Sequence, residues 1–404
     1  MKMISGGVCA AKGFKASGVH CGIRKNPHKN DLALIASDVP CSAAAVYTTN
    51  LVKGAPIILD KIHLADGIAQ AVICNSGKAN TCNANGLEIA KGMAELAAKH
   101  LGIKTEDVLV ASTGVIGEPL DLAPIEKGMP SLVAKLSDED CLEACLGIMT
   151  TDTKPKEVAV EFKLGGKTCR LGGIAKGSGM IHPNMATMLV FLTTDAAISP
   201  AMIQKALSGD VQKTFNMMSV DGDTSTNDTV VLMANGLAGN KEITEDGKDF
   251  TTFMKALNTV TVDLCRRIAA DGEGATKLLE CIVSGADTEL AAKTAAKSVI
   301  TSSLVKTAMF GEDANWGRVL CAIGYSGADV DVNKVSLEFK SIAGSVKLCE
   351  NGAGVPFSEE LAAKVLHENE IDIIISVGDG PFSATAWGCD LTYEYVKING
   401  EYRT

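Results

Sequence analysis

A threonine can act as a nucleophile, and the chain presents one in unusual surroundings. The stretch KGSGMIHPNMATMLVFLTTDAA, Lys176 to Ala197, runs through a glycine- and proline-punctuated loop into Ala186-Thr187, then into the apolar run MLVFL. An internal threonine hydroxyl is a weak nucleophile without a base beside it. Cutting the Ala186–Thr187 bond would supply one, because the new α-amino group titrates near ~7.7–8.0 and is largely neutral around physiological pH. Ala186 is small, and Gly177 and Gly179 permit the backbone conformations that self-cleavage needs. The plain alternative is a loop entering a strand, with Thr187 as a polar strand-start residue. The residues alone favour the plain reading, because Ala-Thr dipeptides are common.

Other chemistries find less support. GGIAKGSGM is rich in glycine but lacks the G-x-x-x-x-G-K-[ST] order of a phosphate loop, and neither H-E-x-x-H nor G-x-S-x-G occurs. The histidines, at 20, 28, 63, 100, 182 and 367, show no ligand spacing, and His182 reads as a loop residue rather than a base. VDGDTSTND, Val220 to Asp228, could hold a cation through Asp221 and Asp223, but reads better as a helix-terminating loop whose short side chains satisfy backbone groups. The 13 cysteines are scattered without a C-x-x-C, and Cys141 and Cys145 fall on one helix, so spacing supports neither disulfides nor a metal.

The elements that would hold Thr187 can be read from periodicity. Gly86 to Leu101 sets Leu87, Ala90, Met93, Ala97 and Leu101 on one helical face. Ser199-Pro200 reads as an N-cap with proline in the first turn, followed by a stripe of Ile203, Leu207, Val211 and Phe215. Helices are expected over Asp138 to Met149 and Glu359 to His367, after Ser137 and Ser358. Strands are expected at Val108 to Thr113, Val158 to Leu164, Thr168 to Ile174, Met188 to Thr193, Ile371 to Val377 and Ala384 to Lys397, with Gly165-Gly166 turning a hairpin. The segments mix without strict β-α-β alternation, and long apolar runs imply strands buried on both faces. An α/β (α+β) architecture follows, with a pair of sheets sandwiched by helices first and a single mixed sheet second.

Composition bounds the partners. The chain has 404 residues, 46% hydrophobic and 21% charged, with a net charge of −10 and no basic stripe. That argues against nucleic acid and for a small soluble substrate. The start, MKMISGGVCAAKGF, has no apolar signal core and no 18-residue apolar span occurs, so a cytoplasmic protein with reduced thiols is expected.

The ordered blocks extend the reading. GGVCAAKGFKASGVHCGI, CNSGKANTCNANG (74–86), ASTGVIGEPL (111–120), IMTTDTKPK (148–156), KGSGMIHPNMATML (176–189), SVDGDTSTND (219–228), FGEDANWGRV (310–319) and GDGPFSATAWGCDLTYEYVKINGEYRT resemble, over essentially the whole chain, the ornithine acetyltransferases (glutamate N-acetyltransferases) of arginine biosynthesis. The resemblance implies an α-β-β-α sandwich like that of N-terminal nucleophile hydrolases. It further implies self-cleavage between Ala186 and Thr187 into chains 1–186 and 187–404, which stay associated as an α2β2 heterotetramer. Thr187 would take the acetyl group of N2-acetylornithine and pass it to glutamate. Thr113 and Gly114 match the family's oxyanion hole, and Thr153, Lys176, Thr187, Glu273, Asn399 and Thr404 its substrate contacts. Lys176 would meet the amino-acid carboxylate, Glu273 the ammonium, and Asn399 and Thr404 the pocket edge. No metal or cofactor is implied. Acetyl-CoA is a further donor for some members and not for others that share these motifs. The rival readings are an amidohydrolase or aminopeptidase of the same architecture and a non-enzymatic metal- or ligand-binding protein centred on Asp221 and Asp223.

Overall fold

The structure, a computed structural model, describes residues 1–182 and 188–401. It divides into two compact units: 1–177, 184–212 and 224–264, and 178–183, 213–223 and 265–404.

The first unit holds nine strands in one sheet among the described residues. In order across it run Lys2–Ile4, Lys156–Leu164, Lys167–Lys176, Leu189–Thr194, Thr229–Ala234, Leu32–Tyr47, Ile68–Lys78 and Val108–Val115, with Phe14–Val19 paired on Leu32–Tyr47. Burial on both faces explains the apolar runs. Leu32, Leu34 and Ala36 pack with Ala90, Met93, Ala97, Ile125 and Met129 of the helices Gly86–Leu101 and Leu122–Ala134. Ala33 and Ile35, on the opposite face, pack with Cys141, Ala144, Cys145 and Ile148. Alternation along one strand thus feeds two cores.

The second unit holds seven strands, ordered Ala353–Gly354, Gly344–Glu350, Ser336–Ser341, Glu370–Ser376, Leu278–Ala286, Phe382–Cys389 and Met218–Ser219. The helix Glu289–Thr301 lies on Leu278–Ala286 and Phe382–Cys389 and buries Val299, Ile300 and the alanines 291, 292, 295 and 296, whose small side chains let the helix approach closely. Thr288 and Ser358 cap their helices by accepting from Ala291 N and Leu361 N. Each unit is therefore mixed α/β, the class that the sequence implied.

Most predicted elements sit where periodicity put them, including Gly86–Leu101, Pro200–Val211 capped by Ser199, and Glu359–His367. Gly165 and Gly166 turn the hairpin with φ of +53° and +83°. Three expectations need correction. The helix placed at Asp138 to Met149 begins only at Leu142, because Ser137 exchanges backbone hydrogen bonds with Ala16 and its hydroxyl accepts from Glu139 N. The strand placed at Ala384 to Lys397 ends at Cys389 and gives way to the helix Tyr393–Gly400. Asp390 breaks it by accepting from the backbone of Thr276 (2.8 Å) and Lys277 (3.0 Å), and the Thr392 hydroxyl donates to Gly274 O (2.7 Å). Finally, Val220 to Asp228 follows the short strand Met218–Ser219, not a helix.

Candidate functional site

Thr113 and Gly114 close the strand Val108–Val115, where they pair with Ser76 and Gly77 of Ile68–Lys78. Gly114 has φ of +130°, and a Cβ there would lie 2.2 Å from the Gly77 carbonyl carbon, so only glycine fits. A polar clamp holds this strand end. Asn227 Nδ2 donates to Ser112 O (2.9 Å) and Ala79 O (2.6 Å), while the Thr81 hydroxyl donates to Asn227 Oδ1 (2.6 Å). The Ser112 hydroxyl donates to Asn75 Oδ1 (2.6 Å), and Asn75 Nδ2 donates to Lys78 O (2.9 Å). Satisfied buried networks of this kind rigidify what they surround.

Thr113 lines a small pocket with Lys176, Met188, Leu189, Ser225, Asn227 and Asp228. Lys176 ends the strand Lys167–Lys176 and pairs in register with Leu189. Its ammonium lies 3.9 Å from Asp152 Oδ2. Asp152 is buried and also accepts from Lys156 Nζ (2.8 Å), Gly177 N (2.7 Å) and Thr150 N (3.0 Å). Burial opposes its charge, but Lys176, Lys156 and these hydrogen bonds outweigh burial and hold the carboxyl well below the usual carboxylate range. Thr153 follows Asp152 in the chain and is exposed.

Asp228 differs. It is 3% exposed, and among the described residues neither carboxyl oxygen has a hydrogen-bond partner. Burial pushes its carboxyl well above the ordinary value, a rise that the Met188 amide, the Thr48 hydroxyl and the Lys176 ammonium only partly offset. The Thr48 hydroxyl donates to Ser225 O (2.8 Å). Next door, Thr229 N donates to Met188 O (3.0 Å), fixing the start of Leu189–Thr194 against Thr229–Ala234.

The second unit brings together Glu273 and Asn399, whose Nδ2 donates to Glu273 Oε2 at 2.8 Å. Glu273 is buried and its backbone N donates to Ser178 O (3.0 Å). A Cβ at Gly179 would fall 2.3 Å from the Glu273 carboxyl carbon, so glycine there makes room for this acid, and one at Gly274, with φ of +69°, would fall 2.7 Å from Tyr395 N, so glycine there lets the helix Tyr393–Gly400 approach. Asp221 accepts from Met180 N (2.5 Å), Ile181 N (2.9 Å) and Asp223 N (3.2 Å), so it braces the backbone as its loop composition implied. His182 Nδ1 lies 3.1 Å from the Ser219 hydroxyl, and burial lowers its pKa to about 4, so the ring is neutral at physiological pH.

Thr187 and Thr404 lie outside the described residues. Thr113, Gly114 and Lys176 are gathered in the first unit, and Glu273 and Asn399 in the second. Sequence reasoning assigned no role to Asp152, Asn227 or Asp228, although IMTTDTKPK and SVDGDTSTND contain them. It also missed a cluster away from the pocket. Cys141, Cys145 and Glu157 each bring one ligand atom within 4.8 Å of the others, and the Cys141 thiol donates to Glu157 Oε2 (2.8 Å). The i,i+4 cysteines were legible, but Glu157 comes from the adjacent strand Lys156–Leu164.

A mixed α/β enzyme scaffold with a strand-end pocket is the class that these features define. Residues 15–404 match the sequence model of the ArgJ family, and the chain belongs to that family. It is 54% identical over 405 residues to the arginine biosynthesis bifunctional protein ArgJ of Caldanaerobacter subterraneus subsp. tengcongensis, covering 100% of both chains. The Bacillus subtilis protein of the same name is 48% identical over 403 residues, covering 99% of this chain and 97% of that one. A crystal structure of the Mycobacterium tuberculosis ornithine acetyltransferase complexed with ornithine is 35% identical, covers 45% of this chain and 98% of its own, and superposes with a TM-score of 0.42.

Proposed function

We propose that the chain cleaves itself between Ala186 and Thr187 and moves an acetyl group from N2-acetylornithine to glutamate through an acetyl-threonine ester. The observation that carries this reading is one pocket that joins Thr113, Lys176 and Met188, the residue after Thr187, in an ArgJ-family chain. In the first half-reaction Thr187 Oγ attacks the acetyl carbonyl while its proton passes to the α-amine. Thr113 and the Gly114 amide hold the oxyanion, the C–N bond breaks, and the amine returns the proton to the departing ornithine nitrogen. Glutamate's amine then attacks the ester and the steps reverse. Lys176 meets the substrate carboxylate, Glu273 its ammonium, and Thr153, Asn399 and Thr404 complete the substrate contacts. The residues supply the base and the oxyanion donors themselves, without metal or cofactor.

The sheet supports lasting association of the fragments. Leu189–Thr194, after the cut, lies hydrogen-bonded to Lys167–Lys176, before it. Two such pairs would form the α2β2 assembly. Relatives named bifunctional support acetyl-CoA as a further donor, which an assay with acetyl-CoA and glutamate tests. No helix among the described residues is long and apolar enough to cross a membrane, which agrees with a cytoplasmic place.

Intact mass on a denatured sample tests the cleavage: fragments of 186 and 218 residues (404 − 186) are expected, the second starting at Thr187. An uncut active chain would refute it. The amidohydrolase alternative is separated by adding glutamate, which should turn acetyl release into N-acetylglutamate formation.

A further inference from the structure

Away from the pocket, the first unit gathers a second set of donors that no step of the reaction uses. Cys141 and Cys145 stand one turn apart at the start of the helix Leu142–Ile148, both buried, and Glu157 reaches them from the strand Lys156–Leu164. One ligand atom from each lies within 4.8 Å of the other two. A tetrahedral zinc ion needs its sulfur and oxygen ligands roughly 3.4–3.8 Å apart, so side-chain adjustments of about 1 Å close the set. The Cys141 thiol donates to Glu157 Oε2 (2.8 Å) and the Cys145 thiol to Lys156 O (3.8 Å), so each sulfur carries a proton. The contact with Cys141 and burial push the Cys145 thiol well above its ordinary value. Cys9 is buried beside Cys141, but its thiol is directed at Ser137 O (3.4 Å) and Asp140 O (3.7 Å). The backbone clears the space: a Cβ at Gly7 would fall 2.5 Å from Cys141 Sγ and 3.3 Å from Glu157 Oε2. The titratable groups that bear on the Cys9 and Cys145 thiols are Cys141, Asp138, Asp140 and Glu157. All four are anionic when ionised, so the field there favours a cation.

We propose that Cys141, Cys145 and Glu157 form a binding site for a borderline-soft divalent cation of the zinc class, with water in the fourth position. Two thiolates select such an ion over magnesium or calcium, which take oxygen ligands. Binding exchanges protons for metal. The two thiols release theirs to solvent, and both sulfurs and one Glu157 carboxylate oxygen each donate an electron pair. Three anionic ligands around a dication leave one net negative charge. The site is structural and takes no part in acyl transfer. Its place in the chain gives it a task. The residues between Cys145 and Glu157 include Thr153 and Asp152, whose carboxyl lies against Lys176. An ion shared by Cys145 and Glu157 closes that segment at its two ends and steadies the turn that holds Lys176.

The test strips the full-length chain with a chelator, keeps it reduced, and follows zinc binding by calorimetry and proton release. Cadmium serves in parallel as the ultraviolet reporter of thiolate ligation. One ion per chain is expected, with a Kd at or below about 1 µM near neutral pH. Release of two protons makes the affinity rise by about a hundredfold per pH unit while both thiols are protonated. Losing an outer-shell partner of a metal already costs about 10–100-fold in affinity, so losing a ligand should cost at least about tenfold. Cys145→Ser should show that loss and about half the cadmium–thiolate absorption. Glu157→Gln keeps both sulfurs, so it should show the loss with the absorption retained, and it carries the test if Cys145→Ser does not fold. Cys321→Ser, which removes an exposed thiol of the second unit, should change nothing. Zinc should also raise the melting temperature of the wild type in a concentration-dependent way, and that of Glu157→Gln less. A reduced wild-type chain that binds zinc more weakly than about 1 µM overturns the assignment. So does an affinity independent of pH, an equal affinity in wild type and Glu157→Gln, or a loss in Cys321→Ser as large as in Glu157→Gln.

Discussion

The turn at Asp152 and the loop that ends at Asp228 both bury a carboxyl group near Lys176, and they treat it in opposite ways. Asp152 is surrounded by two ammonium groups and two backbone amides and stays ionised. For Asp228 the Met188 amide, the Thr48 hydroxyl and Lys176 only partly offset burial, which pushes its carboxyl well above the ordinary value. Burial is nearly complete for both, so burial does not decide the charge. The number of donors and cations aimed at the group does. The first arrangement gives Lys176 a charged partner, and the second leaves a carboxyl dominated by burial.

Replacing Thr187 with alanine removes the proposed nucleophile, and has the largest expected effect: one uncut chain on a denaturing gel and no acetyl transfer. Efficient cleavage in that variant would sink the nucleophile assignment. Asp152→Asn breaks the matched member of the pair and leaves Lys156 and Lys176 without their anion. It should destabilise the protein by about 3–5 kcal/mol in urea unfolding. A loss below about 1 kcal/mol would mean that the lysines find other partners. Thr113→Ala leaves both acids alone and removes the proposed oxyanion donor, which should cost about 10²–10³ in kcat with little change in unfolding midpoint.

The pH dependence of stability sharpens the contrast further, measured in the uncut Thr187→Ala background, where no new amine exists. Asp152 has a folded pKa below its unfolded value of ~3.9, so its contribution is present above that value and is lost as pH falls through the folded one. Asp228 has a raised folded pKa, so the parent loses stability as pH rises past ~3.9 toward the folded value. The stability gap between parent and Asp152→Asn should therefore shrink toward acid. Asp228→Asn, the smallest effect, should gain on its parent by up to about 1 kcal/mol from pH 4 to 7. Parallel curves for the two variants would show that their environments are alike after all.

The pocket was legible only in part. Thr113, Gly114 and Lys176 could be carried over from ordered motifs, and their elements followed from period and punctuation. Asn227 could not be anticipated as the clamp on Ser112, because that hydrogen bond joins residues 115 positions apart. Nor could two aspartates be told apart as one with a lowered and one with a raised pKa, since each sits in a polar, loop-like run. The mistaken strand through Tyr393 has the same origin: Asp390 ends it by binding a backbone more than a hundred residues away.

By itself the sequence determined the local elements, since side-chain periodicity, caps and glycine conformations act within a few residues of one another. It also determined which residue types stand near the Ala186–Thr187 bond proposed for cleavage, and the family to which the chain belongs. Only the tertiary structure decided which acid is held by two lysines and backbone amides and which is dominated by burial, and which amide grips the strand behind Thr113. Charge state and hydrogen-bond partnership depend on groups brought together from distant parts of the chain, and folding alone sets those distances.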